Sequence, residues 1–473
     1  MELQEEIAEY ALEYALSKGA SYAEVRLEHR AGNGFLLKNG VPESAEITSA
    51  AGMGVRFVVN GALGLAAVSK LSKEGVREEL DAALSITRAS SRACEKTIFS
   101  EEKSARADFK APQKKKLADF GAEEKLAALK SVDEALVSAA SGVVARYFSL
   151  SDELLSKFYC NSEGSRIRSE IPYVNLFYSF TIAEGAKTIQ RFTQFGATTG
   201  YECLAEWKLE QAIAREAKAL KKNLVEARQP PTEKVDVILA PEVTGIAAHE
   251  SGGHPYEADR IFGREAAQAG ESFVKKDMTG FRIGSSEVNI ADDPTLPGSF
   301  GFVFYDDEGV KARKKRTVEK GVIKEFLHNR ETAAAMKLKS NGCARANFYS
   351  VEPMVRMSNT FVEPGSFSEE ELLEDVKLGV YFKNFMEWNI DDVRYQQRYV
   401  GNEAYLVEDG ELTTPVARPV LEITTKELWS SVDAVACNLE FQAATCGKGE
   451  PMQGIPVFTG GPSIRLRSIK LGK

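Results

Sequence analysis

Two consecutive prolines near the midpoint of the chain set the strongest limit on its fold. Pro230 and Pro231 follow an amphipathic helical pattern at about 205–228 and precede an apolar run at 235–239 that is typical of a buried strand. Because proline lacks a backbone N–H and disfavours the helical conformation of the residue before it, neither a helix nor a strand can run through this point. At 473 residues the chain is also too long for one ordinary domain. The double proline therefore predicts a domain boundary near residue 230.

Two α+β units are expected before this boundary and one after it. The first, residues 1–94, has helical patterns near both ends and Asn-Gly pairs at 39–40 and 60–61, which favour tight hairpin turns. In the second, residues 95–230, helical patterns enclose alternating strands. Short strand patterns and glycine turns predominate in the third, residues 231–473. Because helices and strands do not alternate as repeated βαβ units, we predict a multi-domain α+β fold whose C-terminal domain is mainly antiparallel β.

The charge balance and the apolar patterning restrict the class of protein. Lys and Arg total 60 against 69 Asp and Glu, a net charge of −9, so the chain has no general attraction to nucleic acid or to anionic membranes. One basic run, at 311–316, is better explained as a solvated strand or loop edge. No apolar run of about 18 to 20 residues occurs, and the N-terminus is acidic where a secretory signal is basic. With six cysteines and no CxxC spacing, the sequence predicts a cytoplasmic protein with reduced thiols.

The feature that points to chemistry is a pair of closely spaced histidines. His249 and His254 form an HExxxH motif in which Glu250 follows the first histidine. Around a regular helix, positions five apart are separated by about 140°, against about 40° for the four-residue spacing of the HExxH zinc peptidases. The two imidazoles can therefore share one metal only if the helix is deformed. The glycine pair at 252–253 and Pro255 favour such a deformation, so we expect the helix to kink or end between the histidines.

A zinc ion held by two histidines needs a third protein ligand if one position is left for water. The candidates are Glu257, Asp259 and a distant cysteine. Cys446 is the best cysteine because it lies in a glycine-rich segment that keeps a thiol accessible, whereas Cys437 lies in an apolar strand pattern typical of a buried structural thiol. Glu250 is placed to act as a general base on a water activated by the metal. The alternative interpretation of the motif is a helix end with two ordinary histidines.

Over essentially its whole length the chain resembles the TldD/PmbA family, formerly described as modulators of DNA gyrase. The residues that carry this resemblance are HESGGH at 249–254 with EAD at 257–259, HNRETA at 328–333, ARA at 344–346, VRMSNT at 355–360, EPG at 363–365, CGK at 446–448 and the tail at 456–466. The chain departs from the usual family pattern at 251–252, 255 and 450–451, and none of these departures removes a ligand.

The resemblance implies a zinc metallopeptidase of the prokaryotic cytosol that acts on peptides or unfolded polypeptide segments. It implies one Zn²⁺ per chain, held by His249, His254 and Cys446, with Glu250 catalytic. The PmbA branch, also called TldE, lacks the metal motif, so this chain resembles the TldD branch. Family members assemble as homodimers or as TldD–TldE pairs around a cavity that extended peptide reaches. The expected partner is therefore a second copy or a TldE/PmbA-like chain, with neither nucleic acid nor membrane involved.

Four further residues are candidates for contact with substrate or for support of the ligands. His328 could orient substrate, or it could form a turn or support a ligand. Arg356 and Asn359 could hold a peptide backbone or carboxylate near the metal, or they could have structural roles at the end of a strand. Glu257 could be the hydrogen-bond partner of a ligand histidine, which metal-bound imidazoles usually have, or a charge on a helix surface.

These observations predict a peptidase whose substrate lies extended against an exposed strand edge. Three other classes compete with it. A non-catalytic scaffold or partner subunit of a TldD–TldE-type complex is disfavoured by the retained ligand set. A DNA-topology modulator that acts by binding is disfavoured by the net charge of −9. The third is a thiol enzyme that uses Cys446 with His249.

Overall fold

The computed structural model describes residues 3–263 and 271–472. The α-helices of these residues are α1 (Glu5–Ser17), α2 (Lys73–Ser90), α3 (Ala122–Ala139), α4 (Cys203–Trp207), α5 (Leu209–Glu226), α6 (Pro241–Ala248), α7 (Ala258–Ile261), α8 (Arg330–Ala335), α9 (Glu369–Glu374) and α10 (Thr425–Ser430). None of the helices in the described ranges combines the length and the apolar character needed to cross a bilayer.

The strands fall into a long-stranded N-terminal group and a short-stranded C-terminal group. The first group is β1 (Tyr22–Lys38), β2 (Val41–Val59), β3 (Ala62–Val68), β4 (Arg106–Lys110), β5 (Val143–Asn161), β6 (Arg166–Glu184) and β7 (Lys187–Ala197). The second group is β8 (Lys234–Leu239), β9 (Ile290–Asp292), β10 (Lys315–Glu319), β11 (Val322–Ile323), β12 (Ala344–Arg345), β13 (Met354–Val355), β14 (Asn359–Val362), β15 (Leu378–Phe382), β16 (Phe385–Ile390), β17 (Gln396–Gly401), β18 (Ala404–Glu408), β19 (Glu411–Pro415), β20 (Val420–Thr424), β21 (Val432–Val435), β22 (Glu440–Lys448), β23 (Gln453–Gly461) and β24 (Ile464–Lys470).

One sheet contains all strands of the first group. Its order is β3-β2-β1-β5-β6-β4, with β7 paired to β6. The hairpins form at the two predicted Asn-Gly pairs, where Asn39 and Asn60 take the left-handed conformation with φ of 49° and 52°. Strand β1 pairs antiparallel with β5, so the two units predicted before residue 230 share this sheet. The limits 1–94 and 95–230 remain predictions.

Helices cover one face of this sheet and leave the other face to the C-terminal part of the chain. Along β5, Phe148 and Leu150 point into the core beneath α3 and α5, and Phe158 points into the core beneath α1 and α2. Because side chains alternate along a strand, the intervening residues of β5 lie on the opposite face. The helix predicted at 205–228 is two helices, since Lys208 between α4 and α5 takes a left-handed φ of 47° that ends the first.

The C-terminal part is built from shorter, mostly antiparallel sheets, which confirms the predicted α+β multi-domain class. One sheet has the order β11-β10-β9-β14-β23-β22 and another the order β19-β18-β15-β8-β24-β21. Of their pairings in the described residues, β14 with β23 and β15 with β8 are parallel. The strand predicted after the double proline is β8, which leads directly into α6. Helix α6 packs against β23 and β14, and the HExxxH motif begins directly after its last residue, Ala248.

Candidate metal centre

The helix that carries the HExxxH motif changes its geometry between the two histidines. Regular α6 ends at Ala248, a π-helical turn runs over His249–Gly253, and a 3₁₀ turn follows over His254–Tyr256. In the π turn the N–H of His254 donates to the carbonyl of His249, five residues earlier. Residues five apart therefore stack one turn above each other, and the two imidazole centroids lie 4.8 Å apart. This is the deformation that the glycine pair and Pro255 predict.

The glycine pair allows the wider turn to pack closely. A Cβ at Gly253 would lie 1.8 Å from Sδ of Met357, and one at Gly252 would lie 2.7 Å from Cδ1 of Ile290. The carbonyl of Gly252 accepts a hydrogen bond of 2.7 Å from Oγ1 of Thr317, which satisfies a backbone oxygen that the irregular turn presents to the core. Only glycine fits at these two positions without displacing its neighbours, so the local sequence and the turn agree.

The third ligand comes from a hairpin far along the chain. Cys446 lies on β22, opposite Ile455 of β23, and its Sγ is 3.4 Å from Nε2 of His254. One ligand atom from each of His249, His254 and Cys446 lies within 4.8 Å of the other two. All three side chains are buried. The structure thus brings together the three residues that the sequence proposed as zinc ligands.

Arg356 binds the backbone of this hairpin through its guanidinium. Its guanidinium is fully buried and donates through Nη1 to the carbonyl of Gln453 at 2.8 Å and through Nη2 to the carbonyl of Cys446 at 2.5 Å. Both acceptors are backbone groups of the ligand-bearing hairpin. Of the two roles that the sequence left open for Arg356, the contacts favour the structural one.

Glu257 and Asp259 lie beside the candidate ligands without joining them. Oε2 of Glu257 is 2.8 Å from Nδ1 of His254, which leaves Nε2 of that ring facing Cys446. Asp259 instead accepts from Nζ of Lys448 at 2.8 and 2.9 Å, and the same ammonium lies 3.3 Å from Glu257. Glu257 therefore fixes the orientation of a ligand histidine, and Lys448 compensates the charge of both carboxylates.

The electrostatics of the site favour an ionised thiol. Burial alone would raise the pKa of Cys446, but the neighbouring positive charges of His254 and His249 hold this pKa well below its ordinary value. Burial likewise opposes charge on His249, but the attraction of Cys446 raises the pKa of this histidine. Nδ1 of His249 is buried and has no hydrogen-bond partner within the described ranges. A thiolate beside two imidazoles is a donor set that suits zinc.

Glu250, the candidate general base, lies next to these ligands, and one of its carboxylate oxygens accepts a hydrogen bond from an arginine. Oε2 of Glu250 accepts from Nη1 of Arg394 at 2.7 Å, and no donor of the described residues reaches Oε1. Arg394 lies in the turn between β16 and β17, where it takes a left-handed φ of 65°, and its carbonyl accepts from Oγ1 of Thr425 at 2.9 Å. Arg394 is not among the residues predicted from the sequence, because a lone arginine in a turn carries no pattern that predicts its contact.

A cavity of about 280 Å³ opens onto the three ligands and Glu250. Strand β22 forms one wall through residues 442–447, and β7 forms another through Arg191–Gln194. Strand β22 is the edge strand of its sheet. The site is therefore enclosed on several sides, with a strand edge beside the candidate ligands.

The remaining sequence candidates lie outside this cavity. Nδ1 of His328 is 3.2 Å from Oγ1 of Thr332, and burial lowers the pKa of His328 to about 4. Asn359 is fully buried and donates to the carbonyl of Asp293 at 2.6 Å and to Oγ of Ser299 at 2.9 Å. Both have structural contacts. The expectation that Cys437 is buried is wrong: β21 ends at Val435, and the thiol two residues later is exposed.

Three protein-family models match the chain in succession. They are described as PmbA/TldA metallopeptidase domain 1 over residues 23–87, the central domain over 115–224 and the C-terminal domain over 232–473. The last of these contains every candidate ligand.

Relatives from archaea match most of the chain. A metalloprotease of Methanocaldococcus jannaschii is 32% identical over 449 residues, which are 94% of this chain and 95% of the relative. A zinc metalloprotease TldD homolog of Saccharolobus solfataricus is 30% identical over 323 residues, covering 68% of this chain and 70% of the relative. The similarity to the first relative thus extends over the N-terminal sheet as well as the candidate metal centre.

Two solved structures have the same fold. A Thermotoga maritima protein described as a modulator of a DNA gyrase aligns with a TM-score of 0.80 and 19% identity, covering 99% of this chain and 100% of the other. TldE from Thermococcus kodakarensis aligns with a TM-score of 0.77 and 17% identity, again covering 99% and 100%. At these identities the likeness concerns the fold.

Proposed function

This chain belongs to the PmbA/TldD metallopeptidase family, and on that premise we propose that it is a zinc-dependent peptidase that hydrolyses peptides or unfolded polypeptide segments. The observation that carries the proposal is the convergence of His249, His254 and Cys446 to within 4.8 Å of one another, beside Glu250 and at the wall of a cavity. A non-catalytic scaffold does not require two buried imidazoles next to a cysteine whose thiolate they stabilise.

The donor set fits a single zinc ion. His254 would bind through Nε2, because its Nδ1 is already engaged by Glu257. Cys446 would bind as the thiolate that its surroundings favour. When bound, zinc supplies Lewis-acid chemistry, which polarises a carbonyl group and makes a water molecule more acidic.

Glu250 supplies the proton transfer in this proposal. Its carboxylate accepts a proton from the attacking water and passes it to the leaving amine. Arg394 holds Oε2, so the carboxylate keeps one orientation while Oε1 stays available to the reacting groups. Residues that hold a catalytic group in its productive orientation lower the entropic cost of the reaction. Arg394 is therefore a positioning residue.

Strand β22 gives the substrate a surface to bind in extended form. It is the edge strand of its sheet and carries Cys446, and Gln194 of β7 contacts it through Gln442 and Thr445. A peptide that displaces these side-chain contacts and pairs with β22 would pass directly beside the ligands. Such pairing requires an extended backbone, and a folded domain cannot enter a cavity of about 280 Å³. We therefore propose that substrates are peptides or unfolded segments. We also propose that the chain acts in the cytoplasm, as a homodimer or together with a TldE-like chain.

Metal analysis by mass spectrometry tests the metal centre. Wild type should contain about one zinc per chain, and Cys446→Ala and His254→Ala should lose it. Cys437→Ala is the matched control, because this thiol is exposed and lies outside the site. Retention of zinc in Cys446→Ala would move the third ligand to an acidic residue. Wild type without metal, even after incubation with zinc, would refute the proposal in favour of the scaffold.

Cleavage assays test the activity separately. Zinc-loaded wild type should cleave an unstructured protein such as casein, and Glu250→Gln should retain zinc but lose cleavage, because the amide cannot accept the proton. A chelator should abolish cleavage, whereas a thiol alkylator added in the presence of zinc should not, which separates metal chemistry from a thiol mechanism. Internal cleavage of a stably folded domain under native conditions would contradict the requirement for unfolded substrate.

A further inference from the structure

A second and larger cavity, of about 380 Å³, lies beside the cavity of the metal centre. Its floor is the helix-free face of the N-terminal sheet, through alternate residues of β5 and β6. Its roof comes from the C-terminal part of the chain, through residues 300–307 and 454–456. The mechanism proposed above uses none of the residues that form this floor and roof.

The two cavities share one strand face and one residue. Along β6, Tyr173 and Asn175 line the second cavity, and Phe177, next on the same face, lines the cavity of the metal centre. Thr445, adjacent to the ligand Cys446, lines both. At about 3.4 Å per residue, Tyr173 lies about 14 Å along the strand from Phe177, a distance that an extended peptide spans in about four residues. A peptide at the metal centre can therefore reach the second cavity.

Two cationic side chains on the floor of the second cavity, Arg30 and Lys157, already have partners inside the protein. Nη1 of Arg30 lies 2.9 Å from Oε1 of Glu153, and Nε of Arg30 lies 3.2 Å from Oε2 of Glu28. Nζ of Lys157 lies 2.5 Å from Oδ1 of Asp307. Arg345, which also lines the cavity, donates to the carbonyls of Met357 and Pro456. A charged ligand group would have to compete with these contacts and would lose its hydration, which is costly in a buried cavity.

Aromatic rings form a large part of the apolar lining. The ring of Phe109 stacks on those of Phe302 and Phe304, with centroids 5.4 and 4.9 Å away, and the ring of Tyr173 meets that of Phe300 edge-on at 6.1 Å. These rings come from both the sheet and the C-terminal roof. Clustered aromatic faces and edges favour a large apolar or aromatic group over a small or charged one.

We propose that this aromatic cavity is a specificity site that binds a large, uncharged apolar or aromatic side chain of the peptide substrate, about two to four residues from the scissile bond. The inference rests on the proposed peptidase activity. It adds a preference that the metal centre, with its small cavity and edge strand, does not supply. Substrates that place phenylalanine, tryptophan or leucine in the cavity are cleaved faster than those that place alanine, lysine or glutamate there.

The test is a fluorogenic peptide series cleaved by the zinc-loaded full chain. Phenylalanine, alanine and glutamate are placed in turn at each position up to four residues from the scissile bond on either side. At one position, kcat/KM should favour phenylalanine over alanine by about tenfold or more, the range expected for filling an apolar pocket. Equal rates at every position would overturn the inference while leaving the peptidase proposal intact, whereas failure to cleave any peptide would count against the peptidase itself.

Two variants connect the preference to this cavity. Phe302→Ala removes part of the roof, and Ser151→Trp fills space above the floor of β5 without removing any core packing. Each should reduce the phenylalanine-to-alanine ratio to near one, and the zinc content should stay at the wild-type value. Phe281→Ala, which truncates a ring that is 55% exposed elsewhere, is the matched control and should keep the wild-type ratio. An unchanged ratio in both cavity variants would show that the preference arises outside the cavity.

Discussion

Replacement of Glu257 by glutamine tests how the site orients its ligands. The carboxylate is fully buried and meets three partners: Nδ1 of His254 at 2.8 Å, Nε of Arg260 at 2.8 Å and Nζ of Lys448 at 3.3 Å. These charges hold the pKa of Glu257 well below its ordinary value despite burial. Glutamine preserves the shape of the side chain but removes the charge. The variant should therefore weaken both the metal affinity and the fold.

The size of each effect follows from these contacts. Loss of the hydrogen-bond partner of a ligand histidine lowers metal affinity about 10- to 100-fold, which corresponds to about 1.4 to 2.7 kcal/mol. Removing one partner of a buried ion pair costs about 3 to 5 kcal/mol of folding stability. The loss should lie near the lower end, because Lys448 retains Asp259 as a partner.

The assay is competition for zinc with a chromophoric chelator, with circular dichroism to confirm that the variant is folded. Glu257→Gln should show the weaker affinity and a lower midpoint of denaturation by urea. Glu319→Gln is the control, because it removes the same charge from a partly exposed ion-paired glutamate and should leave both quantities near wild type. A folded Glu257→Gln protein with zinc affinity within twofold of wild type would refute the positioning role.

Three further variants test other parts of the structure. Arg394→Ala should lower kcat by about 10- to 100-fold, the value of a hydrogen bond to a charged group, and should leave KM and zinc content little changed. Steady-state kinetics should show part of the loss restored in Arg394→Lys. Arg398→Ala, on the same hairpin, is the control and should have wild-type kinetics. His328→Asn should make the free energy of unfolding less dependent on pH between 6.5 and 4. The pKa of His328 is about 4 in the folded protein and about 6.5 in the unfolded chain, so the unfolded chain takes up a proton first and wild type loses up to about 3 kcal/mol of stability as the pH falls through this range. Urea titrations at several pH values should show a smaller loss in the variant. Gly253→Ala should destabilise the fold by about 1 to 3 kcal/mol and weaken zinc binding, because the new methyl group would overlap Met357, and an unchanged thermal midpoint would contradict this packing argument.

Local sequence signals predicted the features whose causes are local. The Asn-Gly pairs mark both hairpin turns of the N-terminal sheet, and the double proline precedes β8. The spacing of HExxxH, together with the glycine pair, predicted a deformed helix, since five-residue spacing and a shared metal are incompatible with a straight one. In each case the relevant residues lie within a few positions of one another.

Features that depend on contacts between distant residues could not be predicted from local sequence patterns. Glu257, Asp259 and Cys446 remained competing third ligands in the HExxxH motif's coordination, because the position of the cysteine depends on the register of β22 and β23. The contact of Arg394 with Glu250 depends on a turn that is 144 positions away in sequence. The pairing of β1 with β5 joins the units 1–94 and 95–230, which the sequence patterns predicted as separate. Such contacts arise from tertiary packing, which local patterns do not encode.

Chain order also determines when the metal centre can form. His254 and Cys446 are 192 positions apart, so a growing chain exposes both histidines long before the cysteine is made. At a synthesis rate of about 5 to 20 residues per second, this interval lasts about 10 to 40 s. Throughout it the nascent chain has at most two of the three ligands. On the proposed mechanism the nascent chain therefore cannot cut its own unfolded strands before Cys446 is made, so the late position of this hairpin delays the proposed activity.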